Sequence, residues 1–130
     1  MQSLSDRSFP HYFYINHANN MFFKLLGEDI ELLSYKTSMG GMGYFVLNYM
    51  YKPKNYTIVF EHDRFFFSIR VYKAEGIFTS LSQMHGEEVD TGLSEKKITN
   101  AVNILSDALK NTDITFYRIG KRGPVKYVGD

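Results

Sequence analysis

The sequence predicts an α+β fold: one domain over 1-130, with an antiparallel sheet of four or more strands and an N-terminal and a C-terminal helix packed on one face. Three observations lead there. Strand-like runs follow one another before a helix intervenes, which separates α+β from regularly alternating α/β architectures. Aromatic residues make up 16% of the chain, with 11 Phe, 10 Tyr and no Trp, and such rings favour strands and fill cores. Ile98, Ala101, Val102, Leu105, Ala108 and Leu109 recur every three or four residues, the stripe of an amphipathic helix that has apolar surface to cover.

Taken in order, Pro10 suits the first turn of a helix, with Ser8 as its cap. From there Tyr14, Ala18, Met21, Phe22 and Leu25 recur at helical spacing, giving a helix over about 10 to 26 that ends near Gly27. IELLSYKTS (Ile30 to Ser38) and MGYFVLNYMY (Met42 to Tyr51) read as strands joined by a tight turn at Met39-Gly40-Gly41. Lys52-Pro53-Lys54-Asn55 is a turn by composition, and strands follow over Tyr56 to Glu61 and Arg64 to Tyr72. Ala74-Glu75-Gly76 interrupts the pattern, and Ile77 to Met84 fits either a short helix or a strand. His85 to Gly92 is a polar loop, Ser94 caps the striped helix, and ITFYRIG with PVKYV form two short strands about Lys121-Arg122-Gly123 or an extended tail.

Alternation in FFFSIRVY assigns Phe65, Phe67, Ile69 and Val71 to the core, and Phe66, Ser68, Arg70 and Tyr72 to the other face. That second set mixes rings with a serine and an arginine, as a contact surface would.

Composition excludes several classes. A chain of 130 residues with 44% hydrophobic residues buries a core without covalent staples. Zero cysteines rule out a disulfide framework, Cys-ligated zinc, iron-sulfur clusters and a Cys nucleophile. Fifteen Lys+Arg against fourteen Asp+Glu leave a formal charge of +1, so no global field draws nucleic acid or an anionic membrane. The N-terminus MQSLSDRSFPHYFYINHANN lacks a basic flank followed by an apolar core, and no segment approaches the roughly 20 apolar residues of a membrane span. The expectation is a soluble cytoplasmic protein.

The best enzymatic clue is His62-Asp63, set between the aromatic runs IVFE and RFFFSIRVY. Hydrolases of the HD superfamily carry such a pair, but on helices and with further His and Asp ligands. Between strands, an Asp that accepts nearby backbone N–H groups gives a hairpin turn, with no metal and no catalysis. His11 and His17 are six apart, the wrong interval for an i, i+4 ligand pair. GGMG (Gly40 to Gly43) lacks the Lys-Ser/Thr of a phosphate loop. Arg118, Lys121, Arg122 and Lys126 make a basic patch, yet without RNP signatures or net positive charge a nucleic-acid partner is disfavoured. No cofactor site emerges.

Binding is the remaining role. Glu87, Glu88 and Asp90 cluster in one loop and suit a basic protein partner, while Tyr49, Phe66, Arg70 and Tyr72 supply aromatic and cationic contact groups. In size, aromatic strand hairpin and lack of a catalytic constellation, the chain resembles the small immunity proteins of bacterial toxin systems, including contact-dependent growth inhibition. The resemblance covers the layout of the whole chain and implies tight binding of one cognate toxin. A phage-type inhibitor of a host enzyme fits the same facts. So does an enzyme or small-ligand binder whose aromatic pocket uses Arg70 or His62 as polar anchor.

Overall fold

The computed structural model describes residues 12–37, 44–63 and 65–128. Helix α1 (Tyr12–Leu26) runs into a 3-10 turn at Gly27–Asp29, and strands β1 (Ile30–Thr37), β2 (Phe45–Tyr51), β3 (Tyr56–Asp63), β4 (Phe66–Ala74) and β5 (Ile77–Ser80) follow. Helices α2 (Leu81–His85) and α3 (Glu95–Asn111) precede strands β6 (Tyr117–Gly120) and β7 (Gly123–Lys126). The fold is α+β. Among the described residues the strands form one antiparallel sheet of seven in the order β1-β2-β3-β4-β5-β6-β7, so every strand pairs with its neighbour in sequence.

The side-chain period of two divides each central strand cleanly. Phe45, Leu47, Tyr49 and Tyr51 of β2, Ile58, Phe60 and His62 of β3, and Phe67, Ile69 and Val71 of β4 are buried. All of these but His62 join Ile15, Ala18, Met21, Phe22 and Leu26 of α1 and Ile98, Ala101, Val102, Leu105 and Leu109 of α3 in one apolar cluster. Phe22 stacks on Tyr49 at 4.3 Å between ring centroids and meets Phe60 edge-on at 6.1 Å, while Phe60 stacks on Phe67 at 5.4 Å. Each fully buried side chain of this size contributes about 1.5–3 kcal/mol by leaving water. The Tyr49 hydroxyl, carried into the same interior, donates to Asn19 Oδ1 at 2.8 Å.

Helices α1 and α3 are tied together along their length. His17 Nε2 lies 2.8 Å from Thr99 Oγ1 and 3.2 Å from the Glu95 carbonyl oxygen, and Lys110 Nζ donates to the Leu25 carbonyl at 2.8 Å. Ser94 caps α3 as its sequence position predicts, its Oγ accepting from Lys97 N at 3.1 Å. No helix among the described residues is long and apolar enough to cross a membrane.

Two expectations change and one open choice is settled. His62 does not shape a turn. It is the third inward position of β3 after Ile58 and Phe60, fully enclosed, with its ring 4.6 Å from that of Phe45. Strand alternation carries it inward, and the turn begins only after Asp63, where Phe65 N donates to the Asp63 carbonyl at 2.6 Å. Phe65, assigned to the core by the same parity, falls in that turn and is 66% exposed. The ambiguous Ile77 to Met84 is strand and then helix. Ser80 ends β5 and caps α2, accepting from Gln83 N while its own N–H donates to Gln83 Oε1, a reciprocal box that switches backbone type within one residue. The expected cap at Ser8 and the turn at Met39-Gly40-Gly41 lie outside the described residues.

Candidate partner-binding surface

The acidic loop and the β3–β4 hairpin are stitched together by contacts between residues 24 to 28 positions apart. Phe67 N donates to the Thr91 carbonyl and Leu93 N to the Phe65 carbonyl, both at 2.9 Å, and Phe66 forms an isolated antiparallel bridge with Gly92. Val89 anchors the loop from within, buried in the core and donating its N–H to Ser82 Oγ at 3.1 Å. This sewing holds two adjacent rings in solvent: Phe65 at 66% and Phe66 at 62% exposure. Both are pinned through their backbones, so docking would cost little further ordering.

The three carboxylates of the loop differ in availability. Asp90 is engaged within the fold: Oδ1 accepts from Gly92 N at 3.0 Å and Oδ2 lies 3.0 Å from Lys97 Nζ. The Gly92 N–H and the Lys97 ammonium hold its carboxyl below the usual carboxylate range. A Cβ at Gly92 would lie 3.0 Å from that ammonium, so a larger residue there would push the end of the Lys97 side chain aside by a few tenths of an ångström. Glu87 Oε1 lies 3.1 Å from His85 Nε2, and Glu88 is exposed with no ion pair among the described residues.

Phe66 also begins a row. Phe66, Ser68, Arg70 and Tyr72 occupy the outward side of β4, about 20 Å from end to end at the rise of a strand. Arg70 Nη2 donates to Glu61 Oε1 at 2.8 Å and its guanidinium lies 5.8 Å from the Tyr72 ring centre, which is 5.1 Å from that of Phe78. Tyr44 joins at the other end. Its phenol is raised above the ordinary value first by burial, then by the charge of Glu61 and a hydrogen bond to it. A tyrosine, an ion pair and two further rings thus cross β2 to β5 as one connected strip.

Of the residues expected at a contact surface, Phe66 is joined to the acidic loop through Gly92, Glu87, Glu88 and Asp90 are exposed earlier in that loop, and Arg70 and Tyr72 continue from Phe66 along the outward side of β4. Tyr49 does not belong: it is fully buried beneath α1. Parity in MGYFVLNYMY, which pairs Tyr49 with Phe45 and Leu47, was the signal that assigns it inward. Phe65, Tyr44, Glu61 and Phe78 extend the surface beyond the expected set. For the latter three, the strand register alone would have identified them.

Other features are less organised. Among the described residues no three or more His, Asp or Glu gather as metal ligands. A groove of about 350 Å³ between α2 and α3 is lined by Met84, His85, Asn103, Ile104 and Asp107 among others, and a shallow depression of about 350 Å³ on the outward sheet face includes Val59, Tyr72 and Lys73. The basic residues Arg118 and Lys126 point to opposite sides of the β6–β7 ribbon, because Arg118 pairs with Val125 and Lys126 with Tyr117, and Lys121 and Arg122 occupy its turn. No family model matches this chain, and neither a curated protein nor a solved structure matches it.

Proposed function

We propose that the protein is a non-catalytic binder that neutralises a single toxin-like protein partner, docking through Phe65 and Phe66 beside the acidic loop. The observation that carries this reading is the pair of adjacent phenylalanines held in water by backbone bonds to residues 91 and 93. Large rings presented on a fixed backbone are what interface hot spots are made of, since burying them releases much apolar surface at small entropic cost. Glu87 and Glu88, exposed on the same loop whose residues 91 to 93 hold the rings, complement a basic surface, such as a cleft that holds phosphates. Charge of this kind speeds encounter more than it tightens the final complex. In this reading α1 and α3 form a layer on one face of the sheet, and the strip from Tyr44 to Phe78 on the other extends the contact.

The test is protection and binding with a toxin domain encoded beside this gene. Wild-type protein should suppress its toxicity and bind it one to one. Phe65→Ala with Phe66→Ala should weaken the complex by about 2 kcal/mol per ring, roughly 30-fold each, with the circular dichroism spectrum unchanged. Reversing Glu87 and Glu88 should slow association at low salt, an effect that fades as salt rises. Asp90 is left intact because it holds Lys97. Full protection by the folded double-alanine variant would refute the assignment of this surface.

A further inference from the structure

Strand β1 is an edge strand, and among the described residues nothing pairs along its outer side. It is long for an edge, eight residues, and it exposes Leu33 at 50% and Tyr35 at 57%. The opposite edge, β7, has four residues with Pro124 among them, the usual means of discouraging further pairing.

The register of β1 against β2 contains one irregularity, an extra residue between Leu32 and Ser34. A bulge normally protects an edge. Here it also changes which side chains share a face. Glu31 and Lys36 are five apart and would point to opposite sides of a regular strand. With the extra residue, Glu31 lies opposite Met50 and Lys36 opposite Val46, both on the outward side, while Leu32 opposite Tyr49 and Tyr35 opposite Leu47 belong to the inward side. From Glu31 to Lys36 the strand reads outward, inward, bulge pair, inward, outward. The order is the same in both directions.

We propose that β1 pairs with β1 of a second copy, antiparallel about a twofold axis between Leu33 and Ser34. That register sets Glu31 of one copy opposite Lys36 of the other, twice, and Leu32 opposite Tyr35, twice, each pair on a common face as cross-strand neighbours must be. Glu31 and Lys36 are exposed and make no ion pair within the described chain. Their charges are complementary only in this self-pairing sense: each copy supplies the cation for the other's anion. The axis lies three strands away from β4, so the dimer is independent of the Phe65 and Phe66 surface.

Sedimentation equilibrium over a concentration series at low salt tests the pairing. Wild-type protein should shift from monomer to dimer mass as concentration rises. E31K and K36E, each creating two like-charge pairs, should each raise the dimer dissociation constant at least about tenfold, with unchanged circular dichroism and thermal midpoint. An equimolar mixture of the two single variants restores both pairs and should recover dimer, as should the double variant E31K/K36E. A wild-type protein monomeric throughout, single reversals that leave the dimer intact, or a mixture no better than its components would each overturn the proposal.

Discussion

Tyr49→Phe removes one oxygen and leaves the ring stacked on Phe22 in place. What disappears is the 2.8 Å bond to Asn19 Oδ1, in a position where Tyr49 is fully enclosed and Asn19 is 1% exposed. Depriving a buried acceptor of its donor costs about 1–3 kcal/mol. With a urea m value of about 1.5 kcal/mol/M for a small domain, the unfolding midpoint should fall by roughly 0.7 to 2 M at constant m. The pH dependence sharpens the test. Burial pushes the Tyr49 phenol well above its ordinary value, so the folded chain keeps a proton that the unfolded chain releases above about pH 10. The contribution is therefore fully present below about pH 10 and lost as pH rises beyond it. By about pH 11 wild type should have lost about 1.4 kcal/mol on this account and the phenylalanine variant nothing. Tyr51 and Tyr56, also raised chiefly by burial, are common to both proteins and cancel. Urea titrations from about pH 8 to about pH 11 should show the gap closing. A constant gap, or equal stability at neutral pH, would refute the account of this hydroxyl.

Other expectations concern the packing. Leu105→Ala, in the fully enclosed stripe of α3, should cost about 2–5 kcal/mol by chemical denaturation, whereas Lys97→Ala, which breaks only the half-exposed pair with Asp90, should cost no more than about 1 kcal/mol. His62→Ala should lower stability by about 2 kcal/mol or more, as a cavity beside Phe45 and Phe67 requires. A turn residue would show far less. Gly86→Ala, at a left-handed helix end with φ of 85°, should cost about 1 kcal/mol in thermal melts.

Much of the fold was legible because both periods are strong. The stripe of α3 and its Ser94 cap, and the alternation in β2 and β4, need no tertiary information. Parity failed where three phenylalanines in a row made Phe65 look like a core residue. Only the bond from Phe65 N to the Asp63 carbonyl, a turn property, decides otherwise. His62 was misread for a related reason, since a polar residue beside Asp suggests a turn while register carries it inward. The candidate surface was half legible. The acidic loop stands out by composition, but its attachment to β4 through Thr91 and Leu93 is a long-range event that no local pattern encodes. Val89, the only apolar residue within that polar loop, was the one hint that the loop is tethered.

The nearest-neighbour order of the sheet bears on how the chain assembles. From β1 to β5, and again from β6 to β7, each strand meets its partner across a short connection, so this pairing closes small loops at an entropic cost that grows little from one hairpin to the next, whereas β5 and β6 meet only across α2 and α3. The contacts between α1 and α3 are different: His17 with Thr99 and Leu25 with Lys110 join residues 82 and 85 positions apart. Pairing of β1 to β5 can therefore run ahead of helix docking, which places the arrival of α3 beside α1, and the joining of β6 to β5, late in folding. Side-chain deletions in the β2–β4 hairpins should then slow folding, while deletions at the α1–α3 contact should chiefly hasten unfolding.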